Sequence, residues 1–253
     1  MRYSGRMKTP LLTLAVMSLA VVAHSHGFRL PMPVSFETFQ AEVVRVADTP
    51  KGPAVPQATQ PNPQAQEKVW AAESLIIAVQ LENENRFLGV VKQMEAEKAF
   101  FASAPQGVRD NFKALVDKGV AAQQKLVTLG VLRAAPNTPA GYAFAMARQA
   151  PTAEMIEAVK DFIKVMATFD TSRDADYLTS MLGEKLSQDE DSVPAALKTK
   201  FEDFAMFSMT TLPQYAGQAA MALNKARAEN GGQFNSRWGL EKKPEAPQGD
   251  RKG

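Results

Sequence analysis

The sequence predicts an all-α protein: a helical bundle of about six or seven helices, with a Pro-linked N-terminal helix and a disordered C-terminal tail. Between residues 67 and 231, apolar residues recur at spacings of three and four, which is the period of an α-helix. The same stretch has no sustained alternation of apolar and polar residues and no Asn-Gly hairpin signal, so strands are not expected. The 253 residues include no cysteine, so the fold has to be stable without disulfides.

Residues 1–23 have the pattern of a secretory signal peptide. Three cations precede an apolar run over residues 11–23. This run is shorter than the ~20 residues that a membrane span needs. We therefore expect export, to the periplasm or out of the cell, with cleavage after Ala23 and with Ser25 as the second candidate position. An uncleaved signal anchor stays open as the alternative.

The slight positive charge of the chain belongs to this signal peptide. The formal net charge is +2, from 29 Lys and Arg against 27 Asp and Glu. Cleavage after Ala23 removes Arg2, Arg6 and Lys8 and no acidic residue, which leaves 26 basic against 27 acidic residues and a net charge of −1. Since the mature chain has no excess of positive charge, we expect no nucleic-acid partner.

Residues 24–48 are expected to contain a short lead and then an amphipathic helix that starts after Ser35, a suitable N-cap. Its apolar face contains Phe36, Phe39, Val43 and Val46, at spacings of three and four. Residues 49–66 follow as a linker with five prolines. The helix is therefore tethered and can dock on the body or on another protein, which makes Phe36 and Phe39 candidate partner-binding residues.

The first two helices of the body, residues 67–231, are expected to form an antiparallel hairpin. The first runs from about residue 67 to residue 103. Asn83 falls on its apolar stripe, which suggests a buried polar group that fixes the register of the helices. The second covers residues 108–129, where Gly119 on the apolar face would let a neighbouring helix approach closely.

Caps and prolines mark the next three helices. Thr138 before Pro139 predicts a short helix that ends at Gln149. Thr152 and Ser172 are the expected N-caps of the two helices that follow, because each hydroxyl can accept a hydrogen bond from a free amide of the first turn.

After residue 192 the sequence predicts two more helices and a tail. Pro213 is expected to divide the two helices, because proline inside a helix removes a backbone hydrogen bond. Residues 232–253 have the composition of a flexible tail, with disorder expected after about Leu240. Trp238 lies in this tail, and we expect it either to dock back on the body or to anchor a partner.

The predicted body contains neither His nor Cys, so it lacks the usual general base, the commonest metal ligand and the strongest nucleophile. We therefore do not expect an enzyme and expect no cofactor. A His-free enzyme that uses carboxylates stays open as an alternative. The segment from Glu82 to Arg86 offers two candidate carboxylates, although Glu82 and Arg86 are also spaced as a solvated ion pair.

Both histidines lie at the expected processing site, as His24 and His26. If cleavage follows Ala23, the new α-amino group, the backbone amides and the imidazole of His26 can surround Cu(II) or Ni(II) in a square plane. A polar leader without bound metal is the favoured interpretation of the same residues.

The segment Phe201–Leu212 is apolar on more than one face, so it lies either at the centre of the bundle, which we favour, or against a partner or a membrane. Together these features predict an exported, non-catalytic helical binding or scaffold protein that acts through protein contacts. A membrane-active, toxin-like helical bundle that exposes this segment is the alternative.

Overall fold

The computed structural model describes residues 63–146, 149–232 and 235–239. This part of the chain is mostly helical, at 75%, which agrees with the predicted all-α class. The predictions for residues 1–62 and 240–253, including the signal peptide and the N-terminal helix, lie outside the described residues. Residues 63–66, predicted as the end of the linker, form the first turn of a helix instead, a position that tolerates proline.

In chain order, the elements are α1 (Pro63–Ala96), α2 (Gln106–Thr128), β1 (Leu132–Ala134), β2 (Tyr142–Phe144), α3 (Ala153–Thr171), α4 (Arg173–Gln188), a 3₁₀ turn (Glu190–Ser192), α5 (Ala195–Met206), a π-helical turn (Phe207–Thr211) and α6 (Leu212–Glu229). Since α5, the π-helical turn and α6 follow one another without a break, the described residues form five helical stretches.

Helix α1 is the central element of the fold. It packs against α2, α3, α5, α6 and β2, and its buried residues lie all around its circumference. The predicted apolar stripe is buried throughout, at Ile76, Val79, Phe87, Val90 and Met94. The helix ends at Ala96 rather than at the predicted residue 103, because the chain continues there in turns.

Gly119 lies where α2 crosses its neighbours. A Cβ atom at this position would be 2.9 Å from Cδ1 of Leu88 on α1 and 3.4 Å from Sδ of Met166 on α3. The close approach predicted for this glycine is therefore present, and it brings three helices together.

The short helix predicted from Thr138 to Gln149 is wrong, since this part of the chain contains an antiparallel hairpin in which Arg133 pairs with Ala143. The Thr138 hydroxyl does not cap a helix; it donates a hydrogen bond of 2.8 Å to the carbonyl of Ala135. Gly141 adopts a φ of 72°, a left-handed conformation that interrupts a helix and that glycine tolerates best.

Two predicted caps are confirmed. The hydroxyl of Thr152 accepts a hydrogen bond of 3.2 Å from the amide of Met155 at the start of α3. The hydroxyl of Ser172 accepts one of 3.3 Å from the amide of Ala175 at the start of α4. Both satisfy amides that the helix itself leaves without an acceptor.

Pro213 does not separate two helices, as was predicted, but lies in the first turn of α6. Because proline has no N–H, the chain cannot form the α-helical hydrogen bond to the carbonyl of Met209. The preceding turn widens instead, and the amide of Leu212 donates to the carbonyl of Phe207, five residues earlier. The helical path therefore continues past the proline through a π-helical turn.

Candidate functional site

A band of polar side chains crosses the middle of α1, within the segment from Glu82 to Arg86 that the sequence indicated as a candidate site. Asn83, Glu84 and Asn85 are all buried there. The amide oxygen of Asn83 accepts a hydrogen bond of 2.8 Å from the hydroxyl of Ser208 in the π-helical turn. Asn83 is thus the buried polar group that its position on the stripe predicted.

On α2, the side-chain amide of Gln123 donates a hydrogen bond of 2.6 Å to the amide oxygen of Asn85. The nitrogen of Asn85 donates in turn to the carbonyl of Leu81, at 2.7 Å. The polar band therefore connects α1 to α2 and to the π-helical turn, and these bonds keep its buried amides from being unsatisfied.

Glu84 is a fully buried carboxylate in this band. One of its oxygens accepts a short hydrogen bond from the side chain of Gln80, and Oε2 has no hydrogen-bond partner. Burial raises the pKa of Glu84 well above its ordinary value, because removal from water disfavours the charged carboxylate, and hydrogen bonds from Gln80 and Asn83 offset this only in part. Burial therefore shifts the titration of Glu84 toward the protonated form.

Next to this band lies a cleft of about 390 Å³, which we call the π-turn cleft. It is lined by Glu82, Arg86, Asp203, Met206, Phe207, Thr211 and Tyr215. Helix α1 contributes the ion pair, in which Nε of Arg86 lies 2.8 Å from an oxygen of Glu82. The guanidinium of Arg86 also lies over the ring of Phe207, 4.4 Å from its centroid, a cation–π contact. The predicted pair is therefore present, but it is half-buried rather than solvated and forms part of the cleft.

The segment Phe201–Leu212 divides between the core and the surface. Phe201, Phe204 and Phe207 are buried, as the favoured interpretation predicted. Met206 and Met209, however, are 55% and 53% exposed, and Tyr215 on α6 is 45% exposed. Of these exposed side chains, Met206 and Tyr215 line the π-turn cleft, where burial by a partner would be favourable.

A second site lies in the N-terminal part of α1, where residues 235–239 dock. Glu73, fully buried, accepts hydrogen bonds from the backbone amides of Arg237 and Trp238, at 2.8 Å and 2.9 Å, and from the hydroxyl of Ser236. The indole N–H of Trp70 donates to the carbonyl of Asn235 at 2.9 Å. The carboxylate thus fixes the backbone of this segment to α1.

Trp238 is only 2% exposed, so the first of its two predicted roles, docking back on the body, is what the structure shows. Its ring packs on Phe144 of the hairpin with centroids 5.9 Å apart. In this conformation the indole is covered by the body and is not exposed to a partner. The tail predicted from residue 232 onward is correspondingly packed at residues 235–239.

The burial of Glu73 and of Glu84 was not predicted from the sequence, although the positions of both residues indicate it. Glu73 lies four residues after Val69 and three before Ile76, so it occupies the apolar stripe. Glu84 lies four residues before Leu88 on a buried face. A carboxylate at such a position is expected either to be bonded or to change its pKa.

Four of the predicted site residues lie outside the described residues: His24, His26, Phe36 and Phe39. Within the described part of the chain, no group of three or more His, Cys, Asp or Glu is placed to hold a metal ion. Glu84, the carboxylate with the raised pKa, is not among the residues that line the π-turn cleft.

The described helices include none with the length and apolar content needed to cross a membrane. Comparisons with protein-family models, with curated proteins and with solved structures found no match for this chain.

Proposed function

We propose that this chain is an exported, non-catalytic helical protein that binds an amphipathic helix of a protein partner in the π-turn cleft. The observation that carries the proposal is the exposure of Met206 and Tyr215 at a cleft that also contains charged side chains. Export rests on the signal-peptide pattern of residues 1–23.

The chemistry of the cleft defines the partner. Met206 has a flexible, polarizable side chain that adapts to different apolar surfaces. The charge of Arg86 is paired with Glu82, so Asp203 leaves the cleft with net negative charge. An amphipathic helix with apolar residues on one face and a Lys or Arg beside them would fit both features.

We also propose the finer architecture of the whole protein. The described residues supply five helical stretches. The amphipathic helix predicted after Ser35 would add a further one, held by the Pro-rich linker to the first turn of α1. The complete bundle would then reach the lower end of the about six or seven helices expected from the spacing of apolar residues.

Because the chain has no cysteine, a single introduced cysteine can be labelled selectively. Site-specific photocrosslinking from such a label tests the binding proposal. Thr211→Cys places a photoreactive group in the cleft, and Tyr177→Cys places it on an exposed aromatic position of α4. We expect the cleft label to capture one exported protein. Excess unlabelled wild type should compete with this capture, whereas a Met206→Ser variant should compete poorly.

The captured protein, once purified, should bind the wild type and lose most of its affinity for Met206→Ser. Equal capture from both labels, or no competition by the wild type, would overturn the proposal. Leakage of lipid vesicles by the purified mature chain, abolished by Met206→Ser together with Met209→Ser, would replace it with the membrane-active alternative.

A further inference from the structure

We propose that the π-turn cleft is occupied, in the free protein, by the chain's own residues 35–48, which a partner helix has to displace. This inference rests on the proposed function, since it concerns the same cleft. The occupant is a segment of the same chain.

The first support is the match between the two surfaces. Met206 and Tyr215 expose apolar area at the cleft. The sequence of residues 35–48 predicts a helix whose apolar face carries Phe36, Phe39 and Val43, and nothing in a short isolated helix would bury that face. Docking would cover both apolar surfaces at once.

The second support is the length of the linker that joins residues 35–48 to α1. The π-turn cleft contains Glu82 and Arg86, which lie 19 and 23 residues after Pro63 and therefore about 28 Å and 35 Å along α1, at ~1.5 Å per residue. Residues 49–62, rich in proline, can extend over about 43 Å at ~3.1 Å per residue. The linker is therefore long enough to place residues 35–48 at the cleft.

Helix α6 runs antiparallel to α1. The part of the cleft that the π-helical turn and α6 form is therefore also within the length of the linker. The side chain of Asn230, just after α6, donates a hydrogen bond of 2.9 Å to Gln66 in the first turns of α1. Ser208, just before α6, bonds Asn83. The π-helical turn therefore lies beside the middle of α1, at the same level as Glu82 and Arg86.

Tethering makes a weak contact sufficient, because a linked segment is present at an effective concentration in the mM range. The charges of the segment also favour a displaceable contact. Glu37, Glu42 and Asp48 outnumber Arg45, so the segment is acidic and is repelled by Asp203. A partner helix with a Lys or Arg beside its apolar face would bind better and replace it.

Spin-label distance measurements on the mature full-length chain test the inference. Ala41→Cys places a label opposite the predicted apolar face, and Gln214→Cys places one beside Tyr215. A second pair combines Ala41→Cys with Lys185→Cys on α4. We expect one narrow distance for each pair, with the distance to residue 214 the shorter of the two.

Phe36→Ser together with Phe39→Ser should broaden both distance distributions, and so should Met206→Ser with Tyr215→Ser. Broad distributions in the otherwise unchanged chain would overturn the inference. A distance that appears only after mixing singly labelled proteins would also overturn it, because the occupant would then come from a second copy.

The failures of the two proposals are distinguishable. If residues 35–48 do not dock but the cleft label still captures a partner, the proposed function stands and this inference falls. If the segment docks, the Phe36→Ser, Phe39→Ser variant should raise partner capture severalfold, because the cleft is then open. No capture by this variant would remove the proposed function and leave the internal docking in place.

Discussion

The hydroxyl of Ser208 donates a hydrogen bond of 2.8 Å to the amide oxygen of Asn83, and this bond fixes the π-helical turn against the middle of α1. Asn85, two residues further along α1, is bonded to Gln123 of α2. Each bond can form only when the two elements that it joins are in one axial register. A shift of either element along the helix axis would leave buried amides without a hydrogen-bond partner. The polar band thus specifies how the helices are aligned, which apolar packing alone does weakly.

A double-mutant cycle of Ser208→Ala and Asn83→Ala should reveal this bond. We expect a coupling energy of about 1 kcal/mol in the free energy of unfolding, since a buried hydrogen bond between neutral groups contributes that much. Urea unfolding of the wild type, both single variants and the double variant gives this coupling energy.

The matched control pairs Asn83→Ala with Thr210→Ala. Thr210 lies in the same π-helical turn, but its hydroxyl donates to the carbonyl of Met206. This second cycle should be additive within about 0.5 kcal/mol. Equal coupling in both cycles would show that the π-helical turn responds to any substitution, and the specific bond would then have no separate role.

Glu84 should make stability decrease as the pH rises. Its pKa in the folded state is raised above its ordinary value of 4.5, which the unfolded chain keeps. Between these two values the folded state holds a proton that the unfolded state has lost, so the free energy of unfolding falls with a slope of at most ~1.4 kcal/mol per pH unit. Below both values Glu84 contributes no pH dependence.

Glu84→Gln should remove this slope, because the amide stays neutral at every pH. We expect the variant to gain stability over the wild type as the pH rises above about 4.5, as measured by urea unfolding at a series of pH values. Glu67→Gln, at an exposed position of the same helix, is the control and should track the wild type. A constant difference between Glu84→Gln and the wild type over the series would show that the pKa is not raised.

The local features of the fold could be predicted from the sequence, because their causes lie within one or two turns. The hydroxyls of Thr152 and Ser172 cap amides three residues away. Asn83 and Gly119 stand out because each interrupts an otherwise apolar helical face. Such signals depend on periodicity and on side-chain chemistry that the sequence shows directly.

The features that the sequence missed depend on distant partners. The strand that contains Phe144 spans three residues and packs on Trp238, far along the chain. Glu73 finds its hydrogen-bond donors in the chain more than 160 residues later. The sequence places Glu73 on the apolar stripe and leaves docking of Trp238 open, but no local pattern identifies the hairpin or the residues that these two side chains contact.

Glu73→Gln should release residues 235–239 from α1. Glutamine has one acceptor oxygen, so its NH₂ group would face either the amide of Arg237 or the amide of Trp238, and hydrogen bonds to a charged acceptor are lost at a cost of about 2 kcal/mol. Tryptic cleavage after Arg237, followed by mass spectrometry, should become about 10- to 30-fold faster, since ~1.4 kcal/mol corresponds to a factor of ten.

Ser236→Ala offers a graded comparison for this prediction, because it removes the hydroxyl that donates to Glu73 and leaves both backbone amides in place. Its cleavage rate should lie between those of the wild type and Glu73→Gln. If Glu73→Gln were cleaved at the wild-type rate, the carboxylate would not be what holds the segment.

Two glycine-to-alanine substitutions should change stability in opposite directions. Both Gly119 and Gly217 lie inside helices, where alanine is favoured over glycine by about 1 kcal/mol. Around Gly217 a Cβ atom would meet nothing within 4 Å. Gly217→Ala should therefore stabilise the protein by up to about 1 kcal/mol, measured as a higher urea midpoint with an unchanged slope.

At Gly119 the same Cβ atom would lie 2.9 Å from Cδ1 of Leu88 and 3.4 Å from Sδ of Met166. Leu88 and Met166 are both fully buried, so neither can move aside without disturbing the core. The strain of overpacking, about 1–3 kcal/mol, should exceed the gain in helix propensity, and Gly119→Ala should lower the urea midpoint. A gain in stability like that of Gly217→Ala would mean that α2 can move away from α1 and α3 at little cost, and the close crossing of these helices would not be specified by the glycine.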